Sequence, residues 1–126
     1  MRRMLISGLC ALLALAMLAP ASAPAAREKA KVTVLGWFPF GAPPSGFWQV
    51  RVKSDTNKCQ KERNVELYRE PNDLIGSGAT AKQGDGRWIW EDFEFEPSSG
   101  EYFAFAPPTV KCKRSESKIF TYPDDN

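Results

Sequence analysis

Phe47-Trp48-Gln49-Val50-Arg51-Val52-Lys53 alternates apolar and polar residues, placing Trp48, Val50 and Val52 on one face and Gln49, Arg51 and Lys53 on the other. A period of two is the mark of a strand with one buried face. The same reading extends in both directions. Upstream, Lys31 to Leu35 is β-branched and alternating, and it runs on into Trp37, Phe38 and Phe40. Gly41 to Gly46 holds two prolines between glycines and must be a loop, because proline cannot donate to a strand ladder. Downstream, Asn64 to Arg69 predicts a strand with Val65 and Leu67 inward, and Leu74 to Thr80 a glycine-weakened strand at a sheet edge. Gln83-Gly84-Asp85-Gly86 suits a hairpin turn, since Asp-Gly tolerates the positive φ angles such turns need.

Arg87 to Glu96 puts Trp88 and Trp90 on one face, with Phe93 and Phe95 in the opposite phase. A bulge near Glu91-Asp92 would bring all four aromatics to the same side. Glu101 to Ala106 and Lys118 to Tyr122 complete a set of seven short strands, and no segment of the exported chain has a helical period. The expected fold class is all-β, a seven-stranded Greek-key sandwich. A barrel would fit the spacing too, but seven strands with one weak edge favour two packed sheets.

The N-terminus has a different character. Arg2 and Arg3 precede an apolar run from Met4 to Leu18, followed by small residues and proline, the pattern of a secretory signal peptide. Ala23-Pro24-Ala25 places alanines for a cut before Ala26, so residues 1–25 read as the signal peptide and 26–126 as one β-sandwich domain. The run falls short of the roughly 20 residues a membrane span needs. Export is expected to deliver the chain to the medium, or to the periplasm where an outer membrane exists. Cys10 leaves with the leader, and Cys59 and Cys112 remain to form one disulfide in an oxidising compartment. Loss of Arg2 and Arg3 leaves fifteen Lys/Arg against fifteen Asp/Glu. Without a sustained basic face, nucleic acid is not an expected partner.

From Cys59 onward the order of landmarks becomes informative: Cys59-Gln-Lys-Glu-Arg-Asn-Val-Glu-Leu-Tyr-Arg69, then Asp73 to Thr80, Gly84-Asp-Gly-Arg-Trp-Ile-Trp90, Gly100-Glu-Tyr-Phe-Ala-Phe-Ala106, and Cys112 to Phe120. This order resembles the carboxypeptidase-regulatory-like, or transthyretin-like, β-sandwich domains of bacterial secreted proteins, over about Lys31 to Tyr122. The resemblance implies a structural or adhesive module without catalysis, with Gly86, Trp88, Gly100 and Tyr102 as framework residues. Glu91 to Pro97 and Trp37 to Phe40 depart from the pattern. The hydroxyisourate hydrolases of this fold use histidines and a C-terminal Tyr-Arg-Gly-Ser. This chain contains no histidine and ends Tyr-Pro-Asp-Asp-Asn.

The lack of histidine also closes the usual routes to nucleophile activation and zinc binding. Asp92, Glu94 and Glu96 alternate with Phe93 and Phe95, which reads as a solvated acidic face opposite a buried aromatic one rather than as a glycosidase pair. Asp85 is too isolated for calcium. An isopeptide bond from Lys31 to Asn126 is disfavoured by Pro123. No metal or cofactor is expected.

All fifteen aromatic residues lie in the exported part. Trp48, Trp88, Tyr102 and Phe120 are expected in the core. Trp37, Trp90, Phe93, Phe95, Phe103 and Phe105 are the candidate ligand-binding aromatics. The expected role is a secreted, non-catalytic module with a structural or interaction function and an undefined protein or polysaccharide partner. The alternative is a carbohydrate- or cell-wall-binding module that uses an aromatic face.

Overall fold

A computed structural model describes residues 26–42 and 44–123. The expected signal peptide and Asn126 lie outside the described residues. Among the described residues there are nine strands: β1 (Lys31–Pro39), β2 (Ser45–Lys53), β3 (Asn64–Arg69), β4 (Asp73–Ala79), β5 (Ala81–Lys82), β6 (Trp88–Phe95), β7 (Gly100–Ala106), β8 (Ser115–Glu116) and β9 (Phe120–Tyr122). Seven match the expected strands. The two additions, β5 and β8, are two-residue pairings too short to leave a periodic signal.

The strands form two antiparallel sheets, one in the order β1-β2-β6-β5 and the other β4-β3-β7-β8, with β9 also on β7. The chain changes sheet between β2 and β3, between β4 and β5, and again between β6 and β7. As a result β2 pairs with β6 in one sheet while β3 pairs with β7 in the other. These two long-range pairings interlock the halves of the chain.

Inward residues follow the predicted period. Val32 and Val34 of β1, Trp48, Val50 and Val52 of β2, Val65 and Leu67 of β3, and Tyr102, Ala104 and Ala106 of β7 are all buried in one cluster. Trp48 is fully buried, with its ring centroid 4.7 Å from that of Tyr102 and 6.0 Å from that of Phe120. The alanines of β7 leave room for these large rings, the alternation of large and small that close packing requires.

Two expectations about the tryptophans are corrected. Trp88 is only half-buried and lies outside the core cluster, near the end of β6 opposite Val52 and Lys82. Trp90 is not an outer-layer aromatic: it is 6% exposed and part of the core. Its indole lies across Gly76 and Gly78 of β4, where the sheets come close enough that a Cβ on Gly78 would overlap the Trp90 Nε1 atom. Glycine is therefore needed here for space, and the weakness of β4 as a strand follows from making room for Trp90. Gly78→Ala is expected to cost about 1–3 kcal/mol through overpacking, which urea denaturation would measure. An unchanged midpoint would mean that Trp90 packs elsewhere.

The disulfide joins Cys59 to Cys112, with Cα atoms 5.6 Å apart. Cys59 closes a 3-10 turn, Asn57–Cys59, after β2, and Cys112 lies in the loop between β7 and β8. The loop around Cys112 also holds the start of the described chain: Glu28 N–H donates to the Lys111 carbonyl at 2.8 Å, and Lys113 N–H donates to the Glu28 carbonyl at 2.8 Å.

Candidate functional site

The site grows out of a change of phase in β1. Val34 pairs with Val50, but Gly36 then pairs with Gln49, leaving Leu35 as an extra residue. Beyond this bulge Trp37 is level with Trp48, and Phe38 is level with Phe47. A bulge re-aims every side chain after it, so Phe38 joins Phe47 on the outer face of the first sheet. On the neighbouring strand Phe47 is level with Phe93, and Ser45 with Phe95.

The pairing of β2 with β6 runs from Ser45↔Phe95 to Val52↔Trp88 without a register shift. The expected bulge near Glu91-Asp92 does not form, so the acids that read as a solvated face turn inward, and Phe93 and Phe95, candidate ligand-binding aromatics, turn outward. Phe93 and Phe95 point outward and are 72% and 73% exposed. Asp92, level with buried Trp48, and Glu94, level with buried Gly46, face inward and are half-buried. The reason is energetic. A bulge would break ladder hydrogen bonds at the centre of the first sheet, and the strand keeps them by exposing two phenylalanines.

Outside, Phe38, Phe40, Phe47 and Phe93 form one cluster. Centroid separations are 6.0 Å for Phe38–Phe47, 6.5 Å for Phe40–Phe47, 6.2 Å for Phe40–Phe93 and 6.0 Å for Phe47–Phe93. The rings meet at 40° to 75°, tilted or edge to face, and do not form a flat platform. Phe95 extends the patch across an open groove of about 440 Å³, lined by Phe40, Ser45, Gly46, Phe93, Glu94 and Phe95. Main-chain bonds secure the rim: Phe40 N–H donates to the Ser45 carbonyl at 2.9 Å, and Glu96 N–H to the Pro44 carbonyl at 2.7 Å.

Beneath the patch, Trp48 Nε1–H donates to the Glu94 carboxylate at 3.0 Å. Burial pushes the Glu94 carboxyl above its ordinary pKa; the Trp48 bond works against that shift, and nearby Asp92 adds to it. Burial alone raises Asp92, whose Oδ2 would lie 2.6 Å from a Cβ on Gly76. An acid with a raised folded pKa binds its proton more tightly in the native than in the unfolded state. Stability then falls as pH rises from the unfolded value toward the folded one. Asp92→Asn is accordingly expected to melt higher than the parent at pH 7, with the gap closing toward about pH 3, below the unfolded carboxylate value. A variant that melts at or below the parent at pH 7 would show that Asp92 is held by attraction rather than merely desolvated.

The remaining sequence candidates divide between the core and the opposite face. Trp37 turns inward and is half-buried, with Nε1–H donating to the Glu94 carbonyl at 3.4 Å and the ring edge-on to Tyr122 at 6.0 Å. Its indole crosses Gly46 so closely that a Cβ there would overlap it. Phe103 and Phe105 lie on the outer face of the second sheet, away from Phe93 and Phe95. They stack on Tyr68 at 5.4 Å and 5.9 Å, with interplanar angles of 13° and 23°. The Arg114 guanidinium covers Phe105 at 4.9 Å, and Tyr68 O–H donates to Glu66 at 2.7 Å. Among the described residues no three His, Cys, Asp or Glu side chains converge as metal ligands would.

Sequence reasoning set Trp37 to Phe40 apart as a departure from the family pattern but did not single out Phe38, Phe40 or Phe47 as site residues, because the bulge that turns Phe38 outward has no local signature beyond Gly36. It also missed Arg63, which is 3% exposed. Its Nη1 donates to the Cys59 carbonyl at 3.0 Å, and its Nη2 to the carbonyls of Pro107 at 3.0 Å and Lys113 at 2.8 Å. Burial lowers the pKa of this guanidinium. The signal was present: Arg63 shares the inward phase of Val65 and Leu67.

No family model, curated protein or solved structure matches this chain.

Proposed function

We propose that the chain is an exported, non-catalytic β-sandwich module of the transthyretin-like kind that works by binding a partner through the phenylalanine face of its first sheet. The observation that carries this reading is the exposure of Phe93 and Phe95 in a strand whose carboxylates face inward. Exposing two large apolar side chains while half-burying two acids opposes the ordinary sorting of residues. Contiguous apolar patches of several hundred Å² on soluble proteins mark interaction sites. The disulfide and the interlocked sheets supply a rigid frame of the kind an extracellular module needs.

A second reading, carbohydrate binding, draws on the near-parallel rings of Tyr68, Phe103 and Phe105. It is the weaker, because these rings spend their faces on one another and on Arg114.

A paired experiment separates the two. Phe93→Ser/Phe95→Ser is expected to abolish binding of a dye that fluoresces on apolar surface while changing stability by less than about 1 kcal/mol. The oxidised protein is expected to pass through chitin, cellulose and peptidoglycan without retention. Retention that Tyr68→Ala abolishes would replace the first reading with the second. Dye binding that survives the double serine change would remove the phenylalanine face as the site.

A further inference from the structure

We infer that the partner received on the phenylalanine face is a cationic polypeptide segment, one that presents aliphatic or aromatic side chains flanked by lysine or arginine. This inference rests on the reading above and adds the chemistry of the occupant.

Charge complementarity points to this occupant. The patch is built from two stretches of chain, Gly36 to Val50 and Trp88 to Glu96. The first carries no charged residue. The second carries Glu91, Asp92, Glu94 and Glu96 and no lysine or arginine; the next cation along the chain's fold, Arg69, lies past it against Ser99 and Gly100. Two of these acids frame the phenylalanines. Glu91 lies two residues before Phe93 on the same outer face, where it accepts a bond from Gln49 at 3.1 Å. Glu94 lines the groove beside Phe93 and Phe95. Glu96 shares the phase of Asp92 and Glu94, and its carboxylate accepts a bond from Tyr122 O–H at 3.2 Å, turned away from the phenylalanines. Asp92 lies beneath. On this outer face the first cation is Arg51, level with Ile89 and beyond the Gln49–Glu91 pair.

An apolar surface in a field of one sign selects by charge as well as by shape. Close like charges disfavour wrong partners, and opposite charges speed encounter and fix register. Anionic lipid and acidic protein are disfavoured here, and a basic apolar segment gains on both counts. Phenylalanine faces add attraction for a guanidinium or ammonium laid against them. The edge-to-face rings leave gaps for aliphatic stems, and the open groove beside Phe40, Phe93 and Phe95 has room for one or two side chains.

The test uses the oxidised protein and two synthetic peptides with identical leucine and isoleucine positions, one carrying lysine and the other glutamate at every polar position. Titration calorimetry at low salt is expected to show the lysine peptide binding at least about tenfold more tightly than its twin. That preference should shrink toward unity at about 1 M salt, where the screening length is only a few Å. Phe93→Ser is expected to weaken the lysine peptide at least about tenfold, and Glu91→Gln to reduce the preference while leaving apolar binding in place. Equal affinity for the twins, with Phe93→Ser weakening both, would overturn the cationic partner and leave the docking face standing. Binding indifferent to Phe93→Ser would overturn the face itself. Uptake on vesicles containing phosphatidylglycerol with neither peptide bound, or self-association that Phe93→Ser abolishes, would assign the surface to a membrane or to a second copy instead.

Discussion

Replacing both Cys59 and Cys112 with serine is expected to lower the unfolding free energy by about 4 kcal/mol, the loop-closure entropy for a link of this length. The bridged residues are 53 apart in sequence, and the segment between them contains β3 to β7, five of the nine strands. Releasing the link frees the unfolded chain far more than it disturbs the native one. A domain of this size has only about 5–15 kcal/mol in total, so the loss is a large share of what holds it together. Guanidinium denaturation of the parent and the double variant, and of the parent with dithiothreitol, measures it. An unchanged midpoint would mean that contacts around the bridge already restrict the unfolded chain, and the structural role given to the disulfide would be wrong.

Arg63→Ala is expected to cost about 3 kcal/mol, because it leaves three carbonyls short of donors in or beside the core. Cys59 lies in the connection after β2, and Pro107 and Lys113 lie at the two ends of the loop between β7 and β8, so one planar guanidinium fork ties the two connections together. Around it, Arg63 N–H donates to Thr80 Oγ1 at 2.9 Å, and Thr80 Oγ1–H donates to the Gln60 carbonyl at 2.6 Å. Lysine offers a single point of donation and is expected to recover only part of the loss. Since Cys59 serves both the bridge and this clasp, the two effects should not add. The Arg63→Ala cost measured without the disulfide is expected to be smaller by more than about 0.5 kcal/mol. Full additivity would show that the clasp and the bridge hold different parts of the fold.

Both predictions concern the end of the sandwich where Cys112 meets the start of the described chain. The phenylalanine face lies at the opposite end of β2, beyond Trp48. That separation suits a module whose frame is stapled at one end and whose contact surface is carried at the other. It also means that the Phe93 and Phe95 substitutions test binding without touching the clasp.

How much of this was legible in the chain varies strand by strand. Phe47 to Lys53 and Asn64 to Arg69 each have one apolar face, so their period alone fixed which side is buried, and Trp48, Val50, Val52, Val65 and Leu67 are all where that period puts them. Cys59 and Cys112, the two cysteines downstream of the expected leader, are bridged as their number implied. Trp88 to Phe95 is different, because both of its phases carry aromatics. Trp90 and Asp92 share one side, and Phe93 and Phe95 the other. A local pattern cannot choose between such faces. The choice was made by the unbroken ladder to β2, in which keeping main-chain hydrogen bonds outweighs hiding two phenylalanines.

Arg63 shows the complementary limit. Its inward phase was readable, but the reason a cation can occupy that position was not, since its carbonyl partners lie up to 50 residues from it in the chain. Sequence by itself determined the class of fold, the inner faces of its one-sided strands, and the pairing of Cys59 with Cys112. Tertiary structure alone decided that Phe38, Phe40, Phe47, Phe93 and Phe95 share one exposed face, because that depends on a bulge in β1 and on strand pairings between segments some 40 residues apart. Periodicity reports only a residue's own strand, whereas a surface is made where strands meet.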